Sequence, residues 1–158
     1  MTSPTIRELL SYRLHQVANL LSRGAEMRYR REFGVSLWEW RTVALLGGAP
    51  EPQSLNELAR AAGMDKGQMS RVVSGLTAKR IVSRETDAND ARGIRLSLTA
   101  AGRRLYQKLI RAAAERNSAF LGCLSARERG CLELAMTKLA REARSFIQTE
   151  KQARKNGV

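Results

Sequence analysis

Five short signals fix where this chain starts its helices. In each, a capping side chain is followed three residues later by Glu or Gln, and an apolar stripe comes next: Thr5/Glu8, Ser36/Glu39, Ser54/Glu57, Asp65/Gln68 and Ser125/Glu128. Such a pair satisfies the backbone N–H groups that a helix start leaves without partners, so each marks a start with a physical reason. The first helix is expected from about Thr5 to Arg31, with Leu10, Leu14, Val17 and Leu21 on one face and Gly34 as its stop. The second is "SLWEWRTVALLGG", closed by Gly47-Gly48 and Pro50. The third, "SLNELARAAG", ends at Gly63, and only Met64 separates it from Asp65, the cap of the fourth. Two helices joined by so tight a glycine-containing turn form a helix-turn-helix.

After Arg80 the period of the apolar residues changes. "IVSRE" reads as a strand, "TDANDARG" as a polar turn, and "IRLSLT" alternates with Ile94, Leu96 and Leu98 on one face. A two-stranded hairpin with a charged tip is expected. Thr99 then caps a long helix to about Leu121, and a last helix starts at Ser125 with Leu132, Met136, Leu139, Phe146 and Ile147 along one stripe. The fold class is therefore mainly α, with a minor β part: a winged helix-turn-helix at residues 35–102. Residues 1–34 and 103–150 form flanking helices, and 151–158 a frayed basic tail. The first and last helices carry more apolar surface than one small core covers, so they are expected to pair two copies of the chain.

The fourth helix, within "GMDKGQMSRVVSGLTAKR", is unusual on its outer side. Met69, Val72, Val73 and Leu76 make the inner stripe, while Gly67, Ser70, Arg71, Ser74 and Ala78 lie opposite, flanked by Gly75 and Gln68. A solvated face normally carries long Lys and Glu side chains. This one is nearly bare, although each glycine costs about 1 kcal/mol of helix propensity. Small residues let a helix backbone approach base edges in a DNA major groove only about 12 Å wide. Lys66, Gln68, Ser70, Arg71 and Ser74 are the candidate contacts on that face. Lys79, Arg84 and Arg95 are candidates for phosphates, and Arg92, oriented by Asp90 two residues earlier, for a minor groove. Close packing against another helix would also favour small residues, but it would bury Arg71 without an evident partner.

Charge agrees with a polyanionic partner. The 158 residues carry a formal charge of +13, and residues 60–104, which contain the bare helix, hold 10 basic and 4 acidic residues. Residues 1–59 are nearly balanced, with 7 and 6. A basic RNA-binding or ribosome-associated protein is the alternative, but RNA modules usually stack bases on exposed aromatics. Aromatic residues are only 5% here, and none falls on the bare helix or the hairpin tip. No nucleophile–base pair, carboxylate pair or phosphate-cradling loop is visible, so the chain does not read as an enzyme. One histidine and two cysteines give no metal set, and no cofactor is expected. The apolar residues of "MTSPTIRELLSYRLHQV" are broken by Arg and Glu, unlike a secretory signal, and no apolar run is long enough for a membrane span. These features, with Cys123 and Cys131 read as reduced thiols that pack at the dimer end, fit a cytoplasmic protein.

Residues about 35–102 resemble the winged-helix domain of the MarR family of bacterial transcription regulators. The resemblance is carried by "LWEWRTVALL" and "LNELARAAGMDKGQMSRVVSGLTAKRIVSRETDANDARGIRLSLTAAG", most specifically by Asp90-x-Arg92 followed by "LSLTAAG". The flanking helices fit in order and length over about residues 5–148. The resemblance implies a homodimer built from the first and last two helices, bound to a pseudo-palindromic operator. It implies recognition roles for Gln68, Ser70, Arg71 and Ser74, and a minor-groove role for Arg92. It further implies a crevice for small aromatic, phenolic or lipophilic effectors, for which Tyr12, His15, Tyr29, Trp38 and Arg41 on the first two helices are the candidates. Trp40 falls in the apolar stripe with Val43 and is assigned to the core. Glu8 and Glu32 are the expected partners of Arg41 if it is not a ligand contact. Oxidation-sensing members carry a reactive cysteine near the N-terminal helix, and this chain has none there.

Overall fold

The computed structural model describes the backbone of residues 4–87 and 90–155, and the side chains of all of these except 87, 90–92 and 155. Its elements follow in the expected order. A short 3-10 turn, Ile6–Glu8, precedes helix α1, Leu10–Phe33, and helix α2 spans Leu37–Gly48. Strand β1, Gln53–Ser54, leads into helix α3, Leu55–Ala62, and helix α4, Lys66–Ala78. Strands β2, Val82–Asp87, and β3, Asp90–Leu98, form the wing, followed by helix α5, Ala100–Leu121, and helix α6, Ala126–Lys155. Among the described residues, no helix is long and apolar enough to cross a membrane.

Local chemistry explains most boundaries. Ser36, Ser54 and Ser125 each accept a bond from the backbone N–H three residues on, while Glu39, Glu57 and Glu128 reach back to the backbone N–H of the cap. Thr99 Oγ1 accepts from Gly102 N at 3.0 Å and so opens α5. Two departures stand out. The Thr5/Glu8 pair caps only the 3-10 turn, because Leu9 takes an extended conformation (ψ 134°) and α1 begins one residue later. At the other end, helix α6 takes in residues 151–155 of the stretch expected as a tail.

By its internal contacts the chain divides into two compact units, residues 1–112 and 113–158. The first contains the core. Val43, Leu58, Met69, Val73, Leu76, Val82 and Leu96 are buried there, and Tyr29 from the last turns of α1 and Leu109 from α5 are completely enclosed. The sheet order is β1-β3-β2, all antiparallel, with Gln53 opposite Leu96 and Ser54 opposite Arg95. The wing is thus three-stranded rather than a two-stranded hairpin. Two residues of "QS" gave no period to read, and β3 supplies the pairing. Of the alternating set, Leu96 and Leu98 face the core, while Ile94, nearer the wing tip, is 50% exposed.

Two glycines do more than end helices. A Cβ on Gly102 would lie 2.2 Å from the carbonyl oxygen of Ile81, so only glycine lets α5 start so close to the β2 approach. A Cβ on Gly47 would lie 2.5 Å from the ring of Tyr106, which packs on that glycine as a lid on a seat. Gly47 was expected to act as a helix stop, yet α2 runs through it to Gly48.

The second unit is different. In α6, every residue from 126 to 152 is exposed, including Leu132, Leu134, Met136, Leu139, Phe146 and Ile147. Cys123 and Cys131, expected to pack at a dimer end, are exposed in the single chain. Cys123 Sγ donates to the carbonyl of Phe120 at 3.0 Å. In the first unit, the amino half of α1 presents a similar uncovered stripe at Leu10, Leu14, Val17 and Leu21.

Candidate nucleic-acid interface

Helix α4 is fixed in rotation by what it buries. Asp65 accepts from Gln68 N at 2.8 Å and starts the helix. Met69, Val73 and Leu76 then enter the core, with Met69 Sδ accepting from the hydroxyl of Thr42 on α2 at 3.6 Å. With that stripe inside, Gly67, Arg71, Ser74, Gly75 and Ala78 are exposed and Ser70 is half-exposed. A Cβ on Gly75 would meet nothing within 4 Å. Among the described residues no helix packs on this face, and β2 reaches it only at Ser74, so its small residues are not explained by a helix contact. The turn before α4 needs Gly63, whose φ of 65° is left-handed and which closes α3 by donating to Arg60 O and Ala59 O.

The basic residues around this face fall into two groups. Lys66 and Arg71 are exposed and, among the described residues, no acid pairs with either. Lys79, Arg84 and Arg95 are tied. Lys79 Nζ lies 2.6 Å from Glu39 Oε1 on α2, and Arg95 lies 3.2 Å from Glu57 on α3. Arg84 donates to Ser74 Oγ at 2.9 Å, laying β2 alongside the outer face of α4. Lys79 and Arg95, both expected as phosphate contacts, each have a carboxylate partner because the fold brings the start of another helix against it. Both ties also fix geometry. Glu39 holds the end of α4 to the start of α2, and Glu57 holds β3 to the start of α3.

The carboxylates record these contacts. Burial pushes Glu39 up, but the bond from Lys79 and the backbone N–H of Ser36 outweigh it and leave the group below the usual carboxylate value. Glu57 is lowered mainly by the Ser54 backbone bond, with a contribution from Arg95. Asp90 and Arg92 belong by backbone to β3, with Asp90 opposite Asp87, but their side chains lie outside the described residues. So does the expected orientation of Arg92 by Asp90.

The turn that leaves α4 was not foreseen in detail. Arg80 N donates to Thr77 O and Ile81 N to Leu76 O, both at 2.9 Å, a helix stop that places the intervening residue in the left-handed region. Arg80 is there at φ 57°. For an L-residue with a side chain this conformation costs roughly 1–2 kcal/mol.

The effector candidates do not form one group. Tyr29 is 0% exposed, its ring 5.2 Å from Trp40 and 6.3 Å from Phe33, so it is core and walls no open crevice. Its position on the last turns of α1 turns it inward with Ala25. Trp38 does line a cavity of about 540 Å³ between α1 and the start of α2, with Asn19, Ser22, Glu26, Arg30 and Leu37. Tyr12, His15 and Arg41 are not among its walls. His15 bonds Asn19 at 2.8 Å. Arg41 lies over the Trp38 ring at 4.8 Å and donates to Ser22 Oγ at 3.4 Å. Neither of the acids expected to pair with Arg41 does so: Glu8 serves Thr5, and Glu32 serves Arg28 and Arg31. Glu26, which the sequence did not single out, bridges this cavity to α2 by accepting from Leu37 N at 2.5 Å.

A helix-turn-helix with an open outer face, followed by a three-stranded wing and flanked by long helices, defines the winged helix-turn-helix class. Residues 33–93 match the model of the MarR family. Over nearly the whole chain the fold is similar to solved members. A MarR/EmrR family transcriptional regulator from Acinetobacter sp. ADP1 shares 25% identity, with 90% of this chain and 99% of that one covered and a TM-score of 0.81. AbsC, a MarR family transcriptional regulator from Streptomyces coelicolor, shares 22% over 92% and 99%, with a TM-score of 0.79. MepR of S. aureus, in a complex with DNA, shares 20% over 85% and 98%, with a TM-score of 0.78. Residues 33–93 are thus similar to the MarR family, and the chain has the fold of these solved transcriptional regulators.

Proposed function

We propose that this chain is a sequence-specific, double-stranded DNA-binding regulator that acts as a homodimer on a pseudo-palindromic operator, most simply as a repressor. The observation that carries the reading is the outer face of α4: small, solvent-open, and furnished with the exposed cations Lys66 and Arg71. Such a face suits close approach to base edges, with Lys66, Gln68 and Arg71 as the reaching groups and Ser70 and Ser74 near the backbone. Arg84 is a phosphate contact held in place by Ser74. The uncovered stripes of α1 and α6 favour association of two copies, which would space two α4 helices by about one DNA turn, roughly 34–36 Å.

A small aromatic acid is the proposed effector. The cavity beside Trp38 offers an aromatic wall, and Arg41, over that ring, has no acidic partner among the described residues. A ligand there acts only through its different affinity for the DNA-competent and incompetent dimers. The test is a footprint on the duplex upstream of the gene, compared with random duplex and structured RNA, with and without aromatic carboxylates. Protection of the upstream duplex with two symmetric half-sites is expected. Arg71→Ala is expected to cost about 1–3 kcal/mol and to relax one base position in each half-site. Equal binding to structured RNA would overturn the reading.

A further inference from the structure

We infer that Arg80 is a phosphate-gripping residue at the carboxyl end of α4, an inference that rests on the DNA-binding reading above. Three described residues have a left-handed backbone. Two are glycines, Gly34 at φ 66° and Gly63 at φ 65°, and the third is Arg80 at φ 57°. Each follows the end of a helix, so the chain itself shows which residue type this geometry favours.

The conformation at Arg80 is imposed from both sides. Before it, the helix stop requires Arg80 N to reach Thr77 O and Ile81 N to reach Leu76 O. After it, Thr99 fastens the turn to α5: its hydroxyl donates to Arg80 O at 2.8 Å and its backbone N–H to Ile81 O at 3.1 Å. The backbone therefore does not relax to suit the side chain. A strained residue persists where something other than local energy keeps it.

The side chain finds nothing in the described chain that would keep it. Arg80 is exposed, and no hydrogen bond or ion pair holds its guanidinium, whereas Lys79, Arg84 and Arg95 around it are held by Glu39, Ser74 and Glu57. The pull of the helix carboxyl end on a cation does not account for it either, because Lys79 already stands there. What remains is a free planar cation with five donors, placed directly after the bare face ends at Ala78. Phosphate is the ligand that such a fork grips in two places. A grip of this kind positions the helix and is blind to sequence.

The test needs no knowledge of the operator. Wild type, Arg80→Gly and Arg80→Lys, as full chains, are titrated with a random-sequence duplex over a series of salt concentrations, and each is melted without DNA. Arg80→Gly is expected to melt higher, by about 2–4 °C. It is also expected to bind more weakly, with the slope of log affinity against log salt shallower by about 1. Arg80→Lys is expected to keep the wild-type slope without the gain in melting temperature. An unchanged slope in Arg80→Gly overturns the inference while leaving DNA binding intact. A lower melting temperature also overturns it, because the side chain would then serve the fold. A wild type that shows no salt-dependent duplex binding overturns the DNA-binding reading and this inference together.

Discussion

Helices α4 and α6 are both amphipathic, yet the chain treats them in opposite ways. α4 buries Met69, Val73 and Leu76 in the core of its own unit and leaves a small polar face open. α6 is more than twice as long and buries none of its stripe: Phe146 is 65% exposed and Ile147 50%. The same periodicity thus meets two fates. In α4, the apolar face is complemented within the chain, and the exposed face is where the unusual residues sit. In α6, the apolar face is itself the unusual surface, because monomeric proteins rarely leave so continuous a patch uncovered. A stripe says that a face needs covering; it does not say which chain covers it.

The strongest way to break this contrast is to charge the α6 stripe. Leu139→Asp with Phe146→Asp is expected to abolish association and, with it, tight operator binding. Sedimentation of wild type beside the variant checks it, and a monomeric wild type would remove the proposed role of α6. Next in size is a packing lesion in the first unit. Gly102→Ala forces a methyl group against the Ile81 carbonyl and is expected to cost about 1–3 kcal/mol or more. Urea unfolding at fixed protein concentration measures it, with Gly47→Ala as a companion in which the Tyr106 ring gives way more readily.

A smaller change sharpens the reading of α4. Gly75→Ala meets open space and restores helix propensity, so stability is expected to rise by about 0.8–1 kcal/mol. If the face is bare for close approach, duplex affinity falls in the same protein. A variant that gains in both would show that the bareness serves no groove. The smallest expected effect concerns how α4 is anchored. Glu39 titrates below its ordinary value of 4.5, so its contribution is complete above that value. It is lost as pH falls through the lower folded-state value. Glu39→Gln is expected to flatten the loss of stability between about pH 5 and 3, and a melting series over that range reads it. An equally steep loss in the variant would assign the acid sensitivity to the caps Glu8, Glu57 and Glu128, which are lowered as well.

Much of the fold was legible because its signals are local. The boxes at Ser36, Ser54 and Ser125 and the glycine stops at Gly34 and Gly63 act within one helical turn, and all behave as their residue types require. The outer face of α4 was legible for the same reason, since a helical period fixes which residues lie opposite Met69 and Val73. The effector candidates were less so. Tyr29 and Trp38 are both aromatics near the α1–α2 junction, but one is fully enclosed and the other lines a cavity, a difference set by the packing of α1 on α2.

By itself, then, the sequence determined the helix starts and stops, the alternation that makes the wing, and the small, basic outer face of α4. Each follows from interactions between residues a few positions apart. Only the tertiary structure decided which cations remain free. Lys79 meets Glu39 across 40 positions and Arg95 meets Glu57 across 38, while Arg71 and Arg80 meet no partner among the described residues. It also decided that Thr99 would lock Arg80 into a glycine's conformation, and that β1 would join the wing. These outcomes depend on which distant surfaces the buried stripes bring together. A hydrophobic stripe has no direction beyond inward, so the pairing of charges above it is settled only when the core closes.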